Sequence, residues 1–371
     1  MRLQLRRSIR FTGAVMLLVL LGTVGLGSLA HADGEVHLRS AYYKEKATRV
    51  VQPMTDVRLE LGPDDELAGH FLVDSITSAS ASAGGAGAVI EEIRLEGGLS
   101  FTHRFTGYEL GAFARYSNEP DYQSLFGGIR AVSELARKNA TFGLALAVGH
   151  DNVSNEGARD PTGMTEIEPI EGTLDTILAS LSYSQILSPI VVVALTYDAI
   201  YQDGFLGNAY RFIPVRGMPL LEDVPDVRLR HAIRASVRGY LPRTRTTLAA
   251  AYRLYVDDWD LIGHTPDVHI GQEVAPDLEI QARYRYHRQN DVFFYRDIYN
   301  EPTRFFTDDV KLSAFSSHTF AITVDTALSN LGMTGRWAAI RSDLLVEYVL
   351  QDNRYGNAFV AQLGLEIPFE Y

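Results

Sequence analysis

The 371-residue chain has no cysteine, which excludes disulfides and thiolate metal centres. Positive charge is short: 34 lysines and arginines stand against 46 aspartates and glutamates, for a net charge of −12. A nucleic-acid partner would need a basic field, so none is expected. Beyond residue 32, no apolar run approaches the length of a membrane-spanning helix, and the mean hydropathy is −0.04. A helical membrane protein is excluded. Also lacking are a G-x-S-x-G motif, an H-E-x-x-H motif and a P-loop, so no catalytic, metal or cofactor residue is assigned. Ser316, Ser317 and His318 sit together with Asp308 and Asp309 upstream. Neighbouring strand residues point to opposite faces, so Ser317 and His318 cannot act side by side as nucleophile and base.

What is present is alternation. Phe359, Ala361, Leu363, Leu365, Ile367, Phe369 and Tyr371 keep a period of two to the last residue, with Gln362, Gly364, Glu366, Pro368 and Glu370 between them. Leu363, Leu365, Ile367, Phe369 and Tyr371 are expected to form the barrel-closing strand of a transmembrane barrel. The N-terminus reads as a targeting segment: Arg2, Arg6, Arg7 and Arg10, an apolar core at Ala14–Leu21, then Ala30-His31-Ala32. Residues 1–32 are therefore expected to be a cleaved signal peptide, and residues 33–371 a single barrel domain.

Between these ends the chain breaks into alternating segments parted by turn residues. The first runs from Val36 to Lys44, and the fourth places Ile93, Leu95, Leu99 and Phe101 opposite Arg94, Glu96, Ser100, Thr102 and Arg104. Later segments cover Arg228–Tyr240, Thr244–Val256, Asp267–Val274, Leu278–His287 and Ser317–Ala327. The pattern predicts about sixteen antiparallel strands, with fourteen as the smaller count. Connections centred on Pro63, Gly107, Lys138, Pro189, Pro242, Pro276 and Leu331 read as short turns. The long ones, 79–90, 151–172, 202–226, 257–266 and 289–313, all fall on the other end. Such sorting suits an outer-membrane barrel, with short turns in the periplasm and long loops outside. Tyr42, Tyr108, Tyr116, Tyr201, Tyr240, Tyr286 and Trp337 near strand ends suit an aromatic girdle.

The inward register carries the polar chemistry. Arg228, Arg230, Arg234, Arg238, Arg253, Arg283 and Arg285 are expected to form a lumen-facing basic wall. Asp56, Glu60, Asp74, Glu96, Glu109, Glu134, Asp343, Glu347, Glu366 and Glu370 supply opposite charge. The wall either sets a transverse field in a pore or merely satisfies the lumen's charges. The 151–172 loop is acidic but has no calcium-loop spacing, and reads as a solvated surface loop. In the 289–313 loop, Phe293, Phe294, Tyr295, Tyr299, Phe305 and Phe306 are too many aromatics for a solvated tether. They are expected to pack at the barrel mouth, with a constriction as the functional alternative.

Three early stretches, Ala41-Tyr42-Tyr43-Lys44-Glu45, Arg49–Met54 and Val73–Ala79, together with Asp309–His318, resemble motifs of a proteobacterial outer-membrane family filed as domain of unknown function 3570. Val310 stands where that family more often has proline, and Gly364 lies two residues earlier than the usual barrel-assembly signal places it. The resemblance implies an outer-membrane barrel in a Gram-negative bacterium and supplies no ligand. Expected partners are outer-membrane lipid with lipopolysaccharide and the barrel-assembly machinery, with the oligomeric state open. The functional expectation is a porin-like channel for small solutes. A non-conducting surface barrel for adhesion, binding or complex assembly is the alternative, and an outer-membrane hydrolase dependent on His318 ranks last.

Overall fold

The computed structural model of the protein describes residues 33–79, 89–155, 170–301 and 303–369. The leader, the 80–88 stretch, most of the acidic loop, and the terminal Glu370 and Tyr371 lie outside the described residues.

Sixteen strands close into one antiparallel barrel. They are β1 (Gly34–Lys44), β2 (Thr48–Glu60), β3 (Asp65–Ala79), β4 (Val89–Phe105), β5 (Tyr108–Asn118), β6 (Tyr122–Leu135), β7 (Ala140–Ser154), β8 (Glu171–Ser188) and β9 (Val191–Gly204). After a separate pair, β10 (Phe212–Val215) and β11 (Met218–Leu221), follow β12 (Val227–Leu241), β13 (Thr246–Asp257), β14 (Ile262–Ala275), β15 (Leu278–Gln289), β16 (Phe315–Ala327), β17 (Arg341–Gln351) and β18 (Ala358–Phe369). Each barrel strand pairs with its neighbour in sequence, β9 passing directly to β12, and β18 returns to β1 from Gly34↔Phe369 to Lys44↔Phe359.

The two-residue period decides which side is wet. Leu99, Val148 and Leu363 are 65%, 63% and 51% exposed, and Leu344, Val346, Tyr348 and Leu350 of β17 all point outward with them. Polar residues next to outward ones are buried: Thr102 beside Phe101, Asp267 beside Val268 and Thr319 beside Phe320. A soluble barrel could not leave so continuous an apolar exterior to water; a bilayer covers it. The inward set is polar because it faces the lumen.

The turns follow from backbone chemistry at one end. Gly107 closes β4 on β5 with φ of +90°, a conformation that L side chains rarely adopt. Two expectations about connections are corrected. Only residues 258–261 join β13 to β14, because the Asp257 carboxylate accepts from the backbone N–H groups of Trp259 and Leu261 and folds the chain back early. The connection around Leu331 is the longest at the short-turn end. Residues 328–340 wind through two 3-10 turns, Leu328–Leu331 and Gly335–Ala339, between β16 and β17.

A charged lumen under a packed cap

The lumen has two unlike walls. On β1 to β5, arginines are matched by carboxylates: Arg39 to Asp56 at 2.6 Å, Arg58 to Glu35 at 2.5 Å, Arg104 to Glu66 at 2.9 Å, Arg115 to Glu96 at 3.5 Å, and Arg94 to Asp74. His70 joins Asp56 at 2.5 Å. This wall is polar and nearly neutral.

The other wall is built on β12 and β13, half-way round the ring from β2 and β3. Arg228, Arg230, Arg234 and Arg238 share one face of β12 because they are spaced by even numbers of residues. Arg228 is pinned at the mouth, where Asp257 accepts from its Nε at 2.9 Å and its Nη2 at 2.5 Å, and Trp259 lies 4.1 Å beneath its guanidinium. Below it the matching stops. Among the described residues, Arg230, Arg234, Arg238 and Arg253 have no carboxylate oxygen within 4.0 Å. Arg234 is the direct register partner of Arg253, and the Nε of Arg230 is buried without a hydrogen-bond partner. Two like charges directly opposite across a strand pair are destabilising. Small neighbours, Ser236, Ala249 and Ala251, leave Arg234, Arg238 and Arg253 exposed, while Arg230 is half-buried. Farther along, Arg283 and Arg285 share one Asp267 oxygen, each at 2.8 Å. The seven arginines named from the sequence therefore divide into three held by carboxylates and four that are not.

At the long-loop end, three connections fold together. β10 and β11 form a hairpin whose turn residues, Arg216 and Gly217, have φ of +52° and +78°, as a two-residue hairpin of primed type requires. No strand is expected there from the sequence, since FIPV and MPLL are short, carry proline and do not alternate. Ile213, Val215 and Tyr299 form one buried cluster; Val224, Trp259, Leu261, Val292, Phe294 and Tyr295 form another, with Phe305 and Tyr255 against it. Phe306 packs on the first cluster and Phe293 stays 47% exposed. Tyr255 shares the inward face of β13 with Arg253 and Asp257, so this core reaches into the top of the lumen. The aromatic loop thus sits inside a small folded cap.

Polar bonds carry the cap across the mouth. Asn155, following β7, is fully buried and donates to the carbonyl of Ala209 at 3.1 Å. Two residues on, Arg211 meets Glu222 at 3.0 Å, Asp309 at 2.8 Å and Asp308 at 3.8 Å. Asp308 pairs with Arg354 at 3.5 Å, and Asp309 accepts from the Tyr355 hydroxyl at 3.4 Å, both between β17 and β18. That route joins strands nearly half a ring apart. Burial alone would lower the Arg211 guanidinium, but the charges of Glu222 and Asp309 overcome it and raise its pKa. Burial raises the Asp308 carboxyl above the usual range despite Arg354 and Arg211. Burial and the Asp309 charge push the Tyr355 phenol up to about 12. Sequence reading did not identify Arg211, Glu222, Asp257 or Trp259; a buried ion cluster within loops has no period to find it by.

Ser317 and His318 lie on opposite faces, as alternation requires. Ser317 is buried inward, while His318 faces outward, 2.8 Å from the Tyr284 hydroxyl.

The family described as "Protein of unknown function (DUF3570)" matches residues 87–362. No curated protein matches the chain. Among solved structures, a bacterial polysaccharide outer membrane secretin aligns at 8% identity and a TM-score of 0.53, over 92% of this chain and all of that one. CdiB from Acinetobacter baumannii aligns at 9% identity and 0.52, over 92% of this chain and 60% of that one. A BenF-like porin from Pseudomonas fluorescens Pf-5 aligns at 9% and 0.47, over 92% and 99%. At these identities the likeness concerns the fold alone.

Proposed function

The chain belongs to the DUF3570 family, whose model matches residues 87–362, and its sixteen strands close into a barrel; on that footing we propose that it is an outer-membrane, porin-like channel for small anionic solutes, gated at its mouth by the folded cap. The observation that carries this reading is the uncompensated column Arg230, Arg234, Arg238 and Arg253 facing a charge-matched wall. A polar lumen needs its charges satisfied, and satisfied charges come in pairs. Unpaired arginines across from paired ones instead leave a positive field in the water between them. Such a field admits anions and repels cations. Arginine forks also suit carboxylate and phosphate groups in passing. Sixteen strands leave an aqueous interior for that field to act in.

The test is conductance in planar bilayers under a salt gradient. The expected wild-type reversal potential is that of an anion-preferring pore, and Arg234→Gln with Arg253→Gln moves it toward cation preference. A pore that prefers cations from the start, or remains silent with the cap removed, overturns the proposal. The buried Arg211 cluster favours a second reading, a plugged barrel that presents its cap for adhesion or assembly. Silence of both the intact and the uncapped barrel would point there.

A further inference from the structure

The barrel is closed by the pairing of its first strand with its last, and near the short-turn end this seam gathers three ligand-type side chains. Glu35 and His37 alternate onto the inner face of β1, and Glu366 of β18 is the direct register partner of His37. One donor atom from each lies within 4.8 Å of the other two, with Glu35 Oε1 and His37 Nε2 3.1 Å apart. The Nε2 atom is withdrawn from solvent and makes no hydrogen bond. We propose that Glu35, His37 and Glu366 bind a divalent cation of the zinc type, which fastens β1 to β18 at the barrel seam. This site is independent of the transport reading.

The donor set selects the ion. Calcium and magnesium take oxygen ligands, and an imidazole offers them nothing. Zinc accepts imidazole nitrogen and carboxylate oxygen together in a tetrahedron, and three protein ligands leave its fourth position for water. The charge also fits. Among the described residues Arg58 is the arginine paired with the trio, and it is shared with Glu66 at 3.6 Å, while Arg341, the register partner of Glu366, is held by Asp277 and Asp325, so the trio is negative before an ion arrives. Arg58 Nη1 holds Glu35 Oε1 at 2.5 Å, beside His37 Nε2, and so fixes the carboxylate at the site. A ligand carboxylate fixed by a neighbouring donor is a regular feature of metal sites.

Position gives the site its effect. Glu35 lies one residue inside the described start of β1, and Glu366 three before the described end of β18. The backbone ladder and a Tyr42–Phe359 ring contact at 6.5 Å otherwise join these strands. An ion bound to both exists only when the seam is closed, so it stabilises the closed barrel.

The experiment uses the full barrel in detergent, stripped with chelator and then dialysed against zinc chloride, with magnesium chloride as control. Bound metal is measured by elemental analysis and stability by thermal unfolding. The expected result is about one zinc per chain, a raised unfolding midpoint that chelator reverses, and no effect of magnesium. His37→Gln and Glu366→Gln should each weaken zinc binding about tenfold or more. Retention of no zinc by the wild type, or equal retention by the double variant, overturns the proposal. Should the variants fail to fold, cobalt in the unaltered protein decides. A tetrahedral visible spectrum supports the site and an octahedral one overturns it.

Discussion

At the residue scale, Asp257 has the largest consequences of any single side chain at the mouth. Its side chain is fully buried and takes hydrogen bonds from Arg228, from the Tyr255 hydroxyl at 2.8 Å, and from the backbone of Trp259 and Leu261. It therefore sets the tight β13–β14 turn and neutralises Arg228, the most deeply buried arginine of the β12 column. Asp257→Ala leaves a buried cation unpaired, which costs about 3–5 kcal/mol. The expected outcome is a loosened Trp259 segment within an intact barrel, measured as faster hydrogen exchange and proteolysis at 258–261. Unchanged protection there would show that Arg228 finds another partner. Tyr299 gives a milder case. Its hydroxyl donates toward the carbonyls of Phe294 and Thr307 and accepts from the Thr307 N–H, all buried. Tyr299→Phe should destabilise the cap by about 1–3 kcal/mol, read by the same proteolysis.

At the element scale, the strands were legible because each carries its own evidence. An outward Leu or Val at every second position needs no knowledge of the neighbouring strand, and β15 reads as cleanly from Leu278 to His287 as it folds. The lumen arginines were legible for the same reason, being placed by parity alone. The start of β14 was not, since Ile262–Pro266 depends on the turn that Asp257 makes. Nor was the β10–β11 hairpin, whose four-residue strands have no period and exist because Ile213 and Val215 bury against Tyr299. The aromatics of the 289–313 loop signalled packing without naming their partners, which prove to be the 205–226 loop and the Trp259–Leu261 turn. Because one core is shared, the cap should fail as a unit. Replacing residues 291–312 by a short glycine–serine linker removes Phe294, Tyr295 and Tyr299 together and leaves β15 and β16 paired. Single-channel conductance should then rise above wild type with the anion preference kept. An unchanged conductance would mean that the cap does not limit passage.

At the scale of the whole molecule, the barrel and its cap have different chemical vulnerabilities, and pH separates them. The barrel rests on hydrogen-bond ladders around a closed ring, with no edge at which to fray. The cap rests on a small apolar core and on buried groups that must keep one protonation state. Burial, with the neighbouring Asp297, holds the Tyr295 phenol up at about 12, and burial with the Asp309 charge does the same for Tyr355. Ordinary tyrosine titrates at 10.0, so both folded values are raised. A raised group contributes stability that is fully present below the unfolded value and lost as pH rises through the folded one. The window for these two is therefore about pH 10 to 12. Acid is a weaker trigger, because the raised Asp308 carboxyl favours the folded cap when protonated, while the lowered Asp352 carboxyl, held by Ser316, favours it when ionised. The two oppose each other as pH falls. Alkali should thus open the cap while the ring persists: conductance rises and tyrosinate absorbance appears between about pH 10 and 12, with the strand circular dichroism unchanged. Tyr355→Phe removes one of the two titrating groups and should blunt the rise. Loss of strand signal in step with the conductance change would show instead that cap and barrel unfold together, and that the mouth has no separate gate.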